Sequence, residues 1–250
     1  MTDVTEQPAP EPVAECPRCG KPETLCVCQD IQPIDNKIAL LVLQHPQEQD
    51  KALGTARLTA LHFRNAVFKT GLSWPSLTKA LGRTADPKRW ATLYLGSVDP
   101  ALAAPGYPVV ALDAKGHLLP VQETALADID GVIVLDGTWS QAKTLWWRNA
   151  WLLKSKRVVL APPRPSLYGK LRREPRREGL STLESVAMLL AHLEHRPEVE
   201  TALLGTFAKL LDKYREHPPV AAGLPGAKAG PRRRFNRRRG RSFASRAESE

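Results

Sequence analysis

The sequence predicts an α/β protein, a mostly parallel sheet flanked by helices, with a small cysteine-bearing segment ahead of it and an arginine-rich segment behind it. Three observations carry that reading. Short apolar runs alternate with helical patterns along the middle of the chain. Residues 132–143, VIVLDGTWSQAK, pass from one such run directly into a helix, and all four cysteines lie between residues 16 and 28. At 250 residues and 42% hydrophobic content, the chain can bury one α/β core with appendages rather than two large domains.

The elements run in order along the chain. Lys37 to Leu43 (KIALLVL) reads as a buried strand from its apolar run, and His45-Pro46 ends it. Residues 50–63 read as a helix and Asn65 to Lys69 as a short strand. A short helix over 75–82 follows Pro75, and 91–96 (ATLYLG), 108–113 (PVVALD) and 132–135 are further strands. Helix 138–150 starts with Thr138 and Gln141 at capping-box spacing. Residues 157–162 (RVVLAP) form another strand, and Pro162, Pro163 and Pro165 forbid regular structure after it. Ser181 and Glu184 repeat the capping-box spacing before STLESVAMLLAHL, and a last helix covers about 198–215. No internal repeat is visible.

Charge and cysteine usage narrow the function. The formal net charge is +10, and from His217 onward Lys228 and eight arginines face only Glu248 and Glu250, a formal +7. A segment so poor in apolar groups cannot offset its ordering entropy, so 218–250 is predicted to be disordered. Its arginines, Arg232, Arg233, Arg234, Arg237, Arg238 and Arg239 among them, read as an RNA-binding arm that displaces counterions from phosphates, with Phe235 and Phe243 to stack on bases. A merely solubilising tail is the alternative.

The N-terminus, MTDVTEQPAPEPVAE, is acidic and Pro-rich, without the basic and apolar regions of a signal peptide. Residues 1–14 are therefore expected to be disordered and the protein cytoplasmic, with no membrane association because no run of 18 or more residues is apolar. No protein partner is predicted. Reduced thiols in that compartment make Cys16, Cys19, Cys26 and Cys28 look like a closed, structural four-thiolate zinc site within a knuckle over 15–32. Disulfides or unrelated free thiols are the alternatives, and the Cys-X-Cys second pair is tighter than the usual ribbon spacing.

Asp136-Gly137-Thr138-Trp139 places an acid, a tight-turn glycine, a hydroxyl and an indole where a strand ends, and in open α/β sheets ligands bind beyond such ends. Together with CPRC and CVC, LVLQHPQE, ARL, LDGTWSQA, APPRPSLYGKLRREP and GLSTLESVA, this order of motifs resembles the DTW-domain family of tRNA-uridine aminocarboxypropyltransferases over about residues 14–215. One departure stands out: Gly54-Thr55 occupies the place of an Asn-Thr pair before ARL.

The resemblance implies a Rossmann-like, SPOUT-related catalytic domain over 33–217. It also implies S-adenosylmethionine as donor and transfer of its 3-amino-3-carboxypropyl group to N3 of a tRNA uridine, in the variable loop, with release of methylthioadenosine. A SPOUT-like RNA methyltransferase and a non-enzymatic zinc-knuckle RNA-binding protein are the competing classes.

That chemistry requires a proton to leave a weakly acidic nitrogen and a donor held in line with it. Asp136 is the candidate proton acceptor; a helix-start carboxylate interacting with amides is the alternative. Trp139 reads either as a stacking surface or as a core residue with Leu145 and Trp146. Gly137 serves the sharp turn, and Thr138 is a cap first and a ligand second. Thr55 and Arg57 are expected to line the same crevice. Ser181, Thr182 and Glu184 offer either a helix N-terminus for the donor's carboxylate or plain capping. Arg164, Ser166, Tyr168, Lys170, Arg172, Arg173 and Arg177 form a basic loop suited to phosphate, with Glu174 and Glu178 as local counter-charges. His45 is read as a satisfied loop histidine.

Overall fold

The computed structural model describes residues 14–49, 51–93, 108–169, 171 and 179–218. The expectations for residues 1–13, for Lys170, Arg172, Arg173 and Arg177, and for the arginines of 219–250 lie outside them. Among the described residues no helix is long and apolar enough to cross a membrane.

Among the described residues six strands form one sheet: β1 (Ala39–Gln44), β2 (Ala66–Thr70), β3 (Trp90–Leu93), β4 (Val109–Leu112), β5 (Gly131–Asp136) and β6 (Lys156–Leu160), in the spatial order β2-β1-β5-β3-β6-β4. All neighbours run parallel except β4, which pairs antiparallel with β6 at one edge. The edge is partly closed by a side chain: Gln122 accepts from the Ala111 N–H at 2.6 Å and donates to the Ala111 and Leu119 carbonyls. Satisfying edge groups in this way denies them to another strand.

The central strands are apolar on both faces because both are covered. Leu40, Val42, Val132 and Val134 pack toward α1 (Ala56–Leu61), α5 (Thr182–Leu193) and α6 (Pro197–Glu216). Leu41, Leu43, Ile133 and Leu135 pack on the other side, toward α2 (Leu77–Leu81) and α4 (Trp139–Arg148). The start of β5 is tightly fitted: a Cβ on Gly131 would lie 2.5 Å from the Trp90 ring, so only glycine admits that indole.

Some elements differ from expectation. The helix expected over 50–63 is confined to Ala56–Leu61, because the Lys51 carbonyl is taken by the Gly54 N–H in a turn. The strand expected over 91–96 is observed as Trp90–Leu93, and residues 94–107 lie outside the described ones. A short helix, α3 (Gln122–Ala127), occupies a stretch without a clear apolar stripe.

The described residues belong to one compact unit. The cysteine segment packs into the main core: Leu25, Val27, Cys19 and Cys28 share a buried cluster with Leu203, Phe207 and Leu210 of α6. Lys213 donates to the Cys26 carbonyl at 2.6 Å, and Lys209 pairs with Asp30.

Candidate active site

The order of the strands creates the crevice. From β1 the chain moves outward to β2, and from β5 it moves the other way to β6, so β1 and β5 lie side by side while their connections diverge. Such a switch point leaves a gap beyond the strand ends. The two residues at its floor are register partners, Gln44 and Asp136.

Asp136 is held on both oxygens. Gln44 Nε2 donates to Oδ2 at 2.9 Å, and the Thr182 hydroxyl donates to Oδ1 in a short hydrogen bond. The backbone is fixed as well, since His45 N donates to the Asp136 carbonyl at 2.9 Å. Two neutral donors, one on each carboxylate oxygen, orient the group. Gln44 itself is buried. No role was assigned to it from the sequence; its signal was a polar side chain closing an otherwise apolar strand.

The turn after β5 is shaped by the helix start. Thr138 and Gln141 form a complete capping box, with Thr138 N donating to Gln141 Oε1 at 2.6 Å. A Cβ on Gly137 would sit 2.9 Å from Gln141 Cβ and 3.4 Å from His45 Cβ, so glycine is needed to bring the two turns together. Trp139 is 41% exposed, with Lys143 Nζ 5.9 Å from its ring centroid. Core packing on α4 falls to Ala142, Leu145 and Trp146 instead. His45 Nδ1 accepts from Gln47 N, which agrees with a satisfied loop histidine.

Opposite Asp136, the start of α5 is already well partnered. Ser181 and Glu184 form the second capping box, and Leu183 N donates to Thr55 Oγ1 at 3.3 Å. Thr182 is thus the member of this segment whose side chain faces the acid, whereas Ser181 acts as a cap. Glu184 is buried and accepts from Ser181 N, the Ser166 hydroxyl and Leu167 N at 2.7–2.8 Å. It fastens the proline-rich loop to α5, a structural use of a residue assigned to donor binding.

The loop residues divide. Tyr168, assigned to the RNA face, is buried; its hydroxyl donates to the Leu53 carbonyl at 2.7 Å and its ring meets Phe207 edge-on at 4.9 Å. It therefore presents no stacking surface and instead anchors the turn before α1. Arg164 is exposed and paired with Glu200 at 2.5 Å. Arg57 lies over the Phe68 ring at 5.4 Å and closes against Gly20.

The four thiols converge. Their sulfur atoms all lie within 4.8 Å of one another, with Cys16–Cys28 at 3.9 Å and Cys19–Cys26 at 4.0 Å. A tetrahedral ion with metal–sulfur bonds of about 2.3 Å requires sulfurs about 3.8 Å apart, so the donor set and its spacing fit a metal ion. The electrostatics are uneven: the Cys19 backbone N–H helps draw the Cys16 thiol down to about 7, while burial pushes Cys19 and Cys28 up. A bound cation would offset the cost of holding such thiolates together.

Lys21 joins this cluster to the crevice. It is buried and donates to the carbonyls of Ala52 and Gly54 at 2.6 and 2.7 Å, immediately before Thr55. Burial draws its ammonium down to about 8, opposed by the nearby thiols and by Asp136.

A mostly parallel α/β sheet with an oriented strand-end acid at its switch point, docked to a four-thiol cluster, defines a class of crevice-bearing α/β protein. The DTW domain model matches residues 13–215, and the chain belongs to the DTW-domain family. It is 28% identical over 211 residues to tRNA-uridine aminocarboxypropyltransferase 2 of Macaca fascicularis, covering 81% of this chain and 64% of that protein. The Mus musculus protein of the same name is 28% identical over 207 residues, with the same coverage. That of Drosophila melanogaster is 29% identical over 194 residues, covering 76% and 70%. The chain thus spans just under two thirds of the length of the two mammalian relatives. No solved structure matches it.

Proposed function

We propose that this protein transfers the 3-amino-3-carboxypropyl group of S-adenosylmethionine to N3 of a tRNA uridine. The observation that carries the reading is the Asp136 carboxylate, oriented by Gln44 and Thr182 at the β1/β5 crevice. Family membership and the names of the relatives support the substrate class.

In the reaction N3 forms a bond to the donor's γ-carbon while that carbon's bond to sulfur breaks. The electron pair goes to sulfur, methylthioadenosine leaves, and the N3 proton is lost. Asp136 accepts or steers that proton. A fixed carboxylate supplies proton transfer worth about 10²–10⁴-fold in rate. Gln44 and Thr182 position it, and Thr55 sustains the α5 start that carries Thr182. Trp139 stacks on a base or on the donor's adenine beside the acid.

The cysteine cluster holds a structural zinc, whose chemistry here is to keep the segment docked, through Lys21, against the turn that precedes Thr55. Arg164, Lys170, Arg172 and Arg173, with the arginines of 232–239, supply phosphate contacts, and the modified uridine lies in the variable loop. The setting is the cytoplasm.

The test is the co-product. The full chain, incubated with S-adenosylmethionine and tRNA, releases methylthioadenosine, and the tRNA nucleosides gain the mass of an aminocarboxypropyl group. Release of S-adenosylhomocysteine would instead show methyl transfer, and tRNA binding without either product would show a binding protein.

A further inference from the structure

The exposed face of α4 is unlike an ordinary solvated helix surface. Trp139, Lys143 and Trp147 succeed one another at spacing i, i+4, i+8, which places them in one row. Trp147 is 74% exposed and Trp139 41%, while the opposite face of the same helix supplies Ala142, Leu145 and Trp146 to the core. A mostly exposed indole, Trp147, in one row with the partly exposed Trp139 marks a surface that contacts a partner.

Charge identifies the partner's chemistry. Between Asp136 and Glu174 the chain carries nine lysines and arginines and no Asp or Glu. Lys143 sits above the Trp139 ring, Arg148 closes the helix and Lys154 follows it, all three exposed. The loop packed against this end, reached through the Ser73 hydroxyl on the Arg148 carbonyl, has no acid either. Aromatic faces interleaved with cations are what unpaired, phosphate-linked bases require. Eight residues of helix extend about 12 Å. At roughly 3.4 Å per nucleotide along a strand, that distance accommodates three or four nucleotides.

We propose that Trp139, Lys143 and Trp147 form a stacking track for the unpaired tRNA nucleotides that flank the reacting uridine. The track begins three residues beyond Asp136 and leads away from it along α4. Trp147 is a binding residue remote from the acid, so it governs capture of the RNA rather than the chemical step. The inference rests on the tRNA reading above and adds to it where the RNA lies.

The experiment compares the full-length wild type with Trp147→Ala, Trp147→Phe and Lys143→Gln. Each is titrated with unfractionated tRNA, with poly(U) and with a duplex RNA across a range of salt concentrations, while methylthioadenosine release is followed in parallel. Trp147→Ala should weaken binding of tRNA and of poly(U) about tenfold, with an unchanged salt slope, and leave duplex binding within about twofold. Its KM for tRNA should rise by a similar factor with kcat nearly constant. Trp147→Phe should keep most of the affinity, and Lys143→Gln should reduce the salt slope by about one. Because Trp147 is mostly in water, its loss should leave the unfolding midpoint unchanged.

Wild-type affinity of Trp147→Ala for tRNA and poly(U) would overturn the track alone, provided the wild type binds tRNA and releases methylthioadenosine. A wild-type dimer that dissociates on Trp147→Ala would assign the face to a second copy and overturn it too. A wild type that binds no tRNA would remove both the track and the function on which it rests.

Discussion

Gln44 and Asp136 are joined twice: they are register partners across β1 and β5, and the Gln44 amide donates to Asp136 Oδ2 at 2.9 Å. The amide is therefore set by the sheet and not by a loop, which fixes the acid's orientation before any ligand arrives. Removing the acid and removing its support should have different consequences. Asp136→Asn should lower the rate of methylthioadenosine release at least 100-fold while leaving the Kd for tRNA within about twofold. Gln44→Leu keeps the volume but loses the donor, and should cost about tenfold in kcat with little change in KM, as expected of a positioning residue. Equal tRNA affinity and equal turnover in Asp136→Asn would remove the acid from the chemistry.

Lys21 is the mechanical link between the thiol cluster and the crevice: it is buried, and its two carbonyl partners belong to half-buried residues of the turn. Lys21→Met retains most of the stem but leaves the Ala52 and Gly54 carbonyls unpaired. Loss of stability of about 2 kcal/mol in urea unfolding is expected. Stripping the metal with a thiol-reactive mercurial and a chelator should release about one zinc per chain and lower Tm, since metal binding and folding of such a cluster are coupled. A chain that carries no zinc, or whose Tm ignores its removal, would break this account.

Much of the site was legible because it is local. An apolar run ending in Asp136, followed at once by a capping box, announces a strand end whatever else the fold does. Likewise the four thiols are close in sequence, so their convergence needed no long-range pairing. The features that stayed hidden depend on contacts distant in sequence. Gln44 could be assigned to Asp136 only once β1 and β5 were known to be neighbours, and a sheet order of β2-β1-β5-β3-β6-β4 is not encoded in any window. Tyr168 looked like part of a basic surface because its flanks are cationic, yet the ring faces Phe207 on α6 and the hydroxyl serves Leu53.

Glu184 tests whether the proline-rich loop is held as proposed. Its carboxylate joins the Ser181 cap to Ser166 and Leu167, so Glu184→Ala removes one side of three hydrogen bonds in a buried place. Destabilisation of about 3 kcal/mol is expected, with the loop the first segment to gain protease sensitivity. Glu184→Gln can still accept from one or two of these donors and should recover part of the loss. If Glu184 instead held the donor, the alanine variant would be normally stable and would show a raised KM for S-adenosylmethionine.

His62 gives the fold a pH dependence with a definite sign. The ring is buried at the end of α1, neither nitrogen has a hydrogen-bond partner, and burial draws its pKa from 6.5 down to about 4. Above pH 6.5 the imidazole is neutral in both folded and unfolded chains and contributes no pH dependence. As the pH falls from 6.5 toward 4, the unfolded chain binds the proton and the folded chain does not, so stability is lost on acidification, levelling off once both states are protonated. Over that window the loss from this group alone is about 3 kcal/mol. Other carboxylates and histidines also titrate there, so the informative quantity is the difference between wild type and His62→Leu, measured by urea unfolding at several pH values. The variant should gain on the wild type steadily from pH 6.5 to 4, and a constant difference would mean that His62 is protonated, or hydrated, in the folded protein.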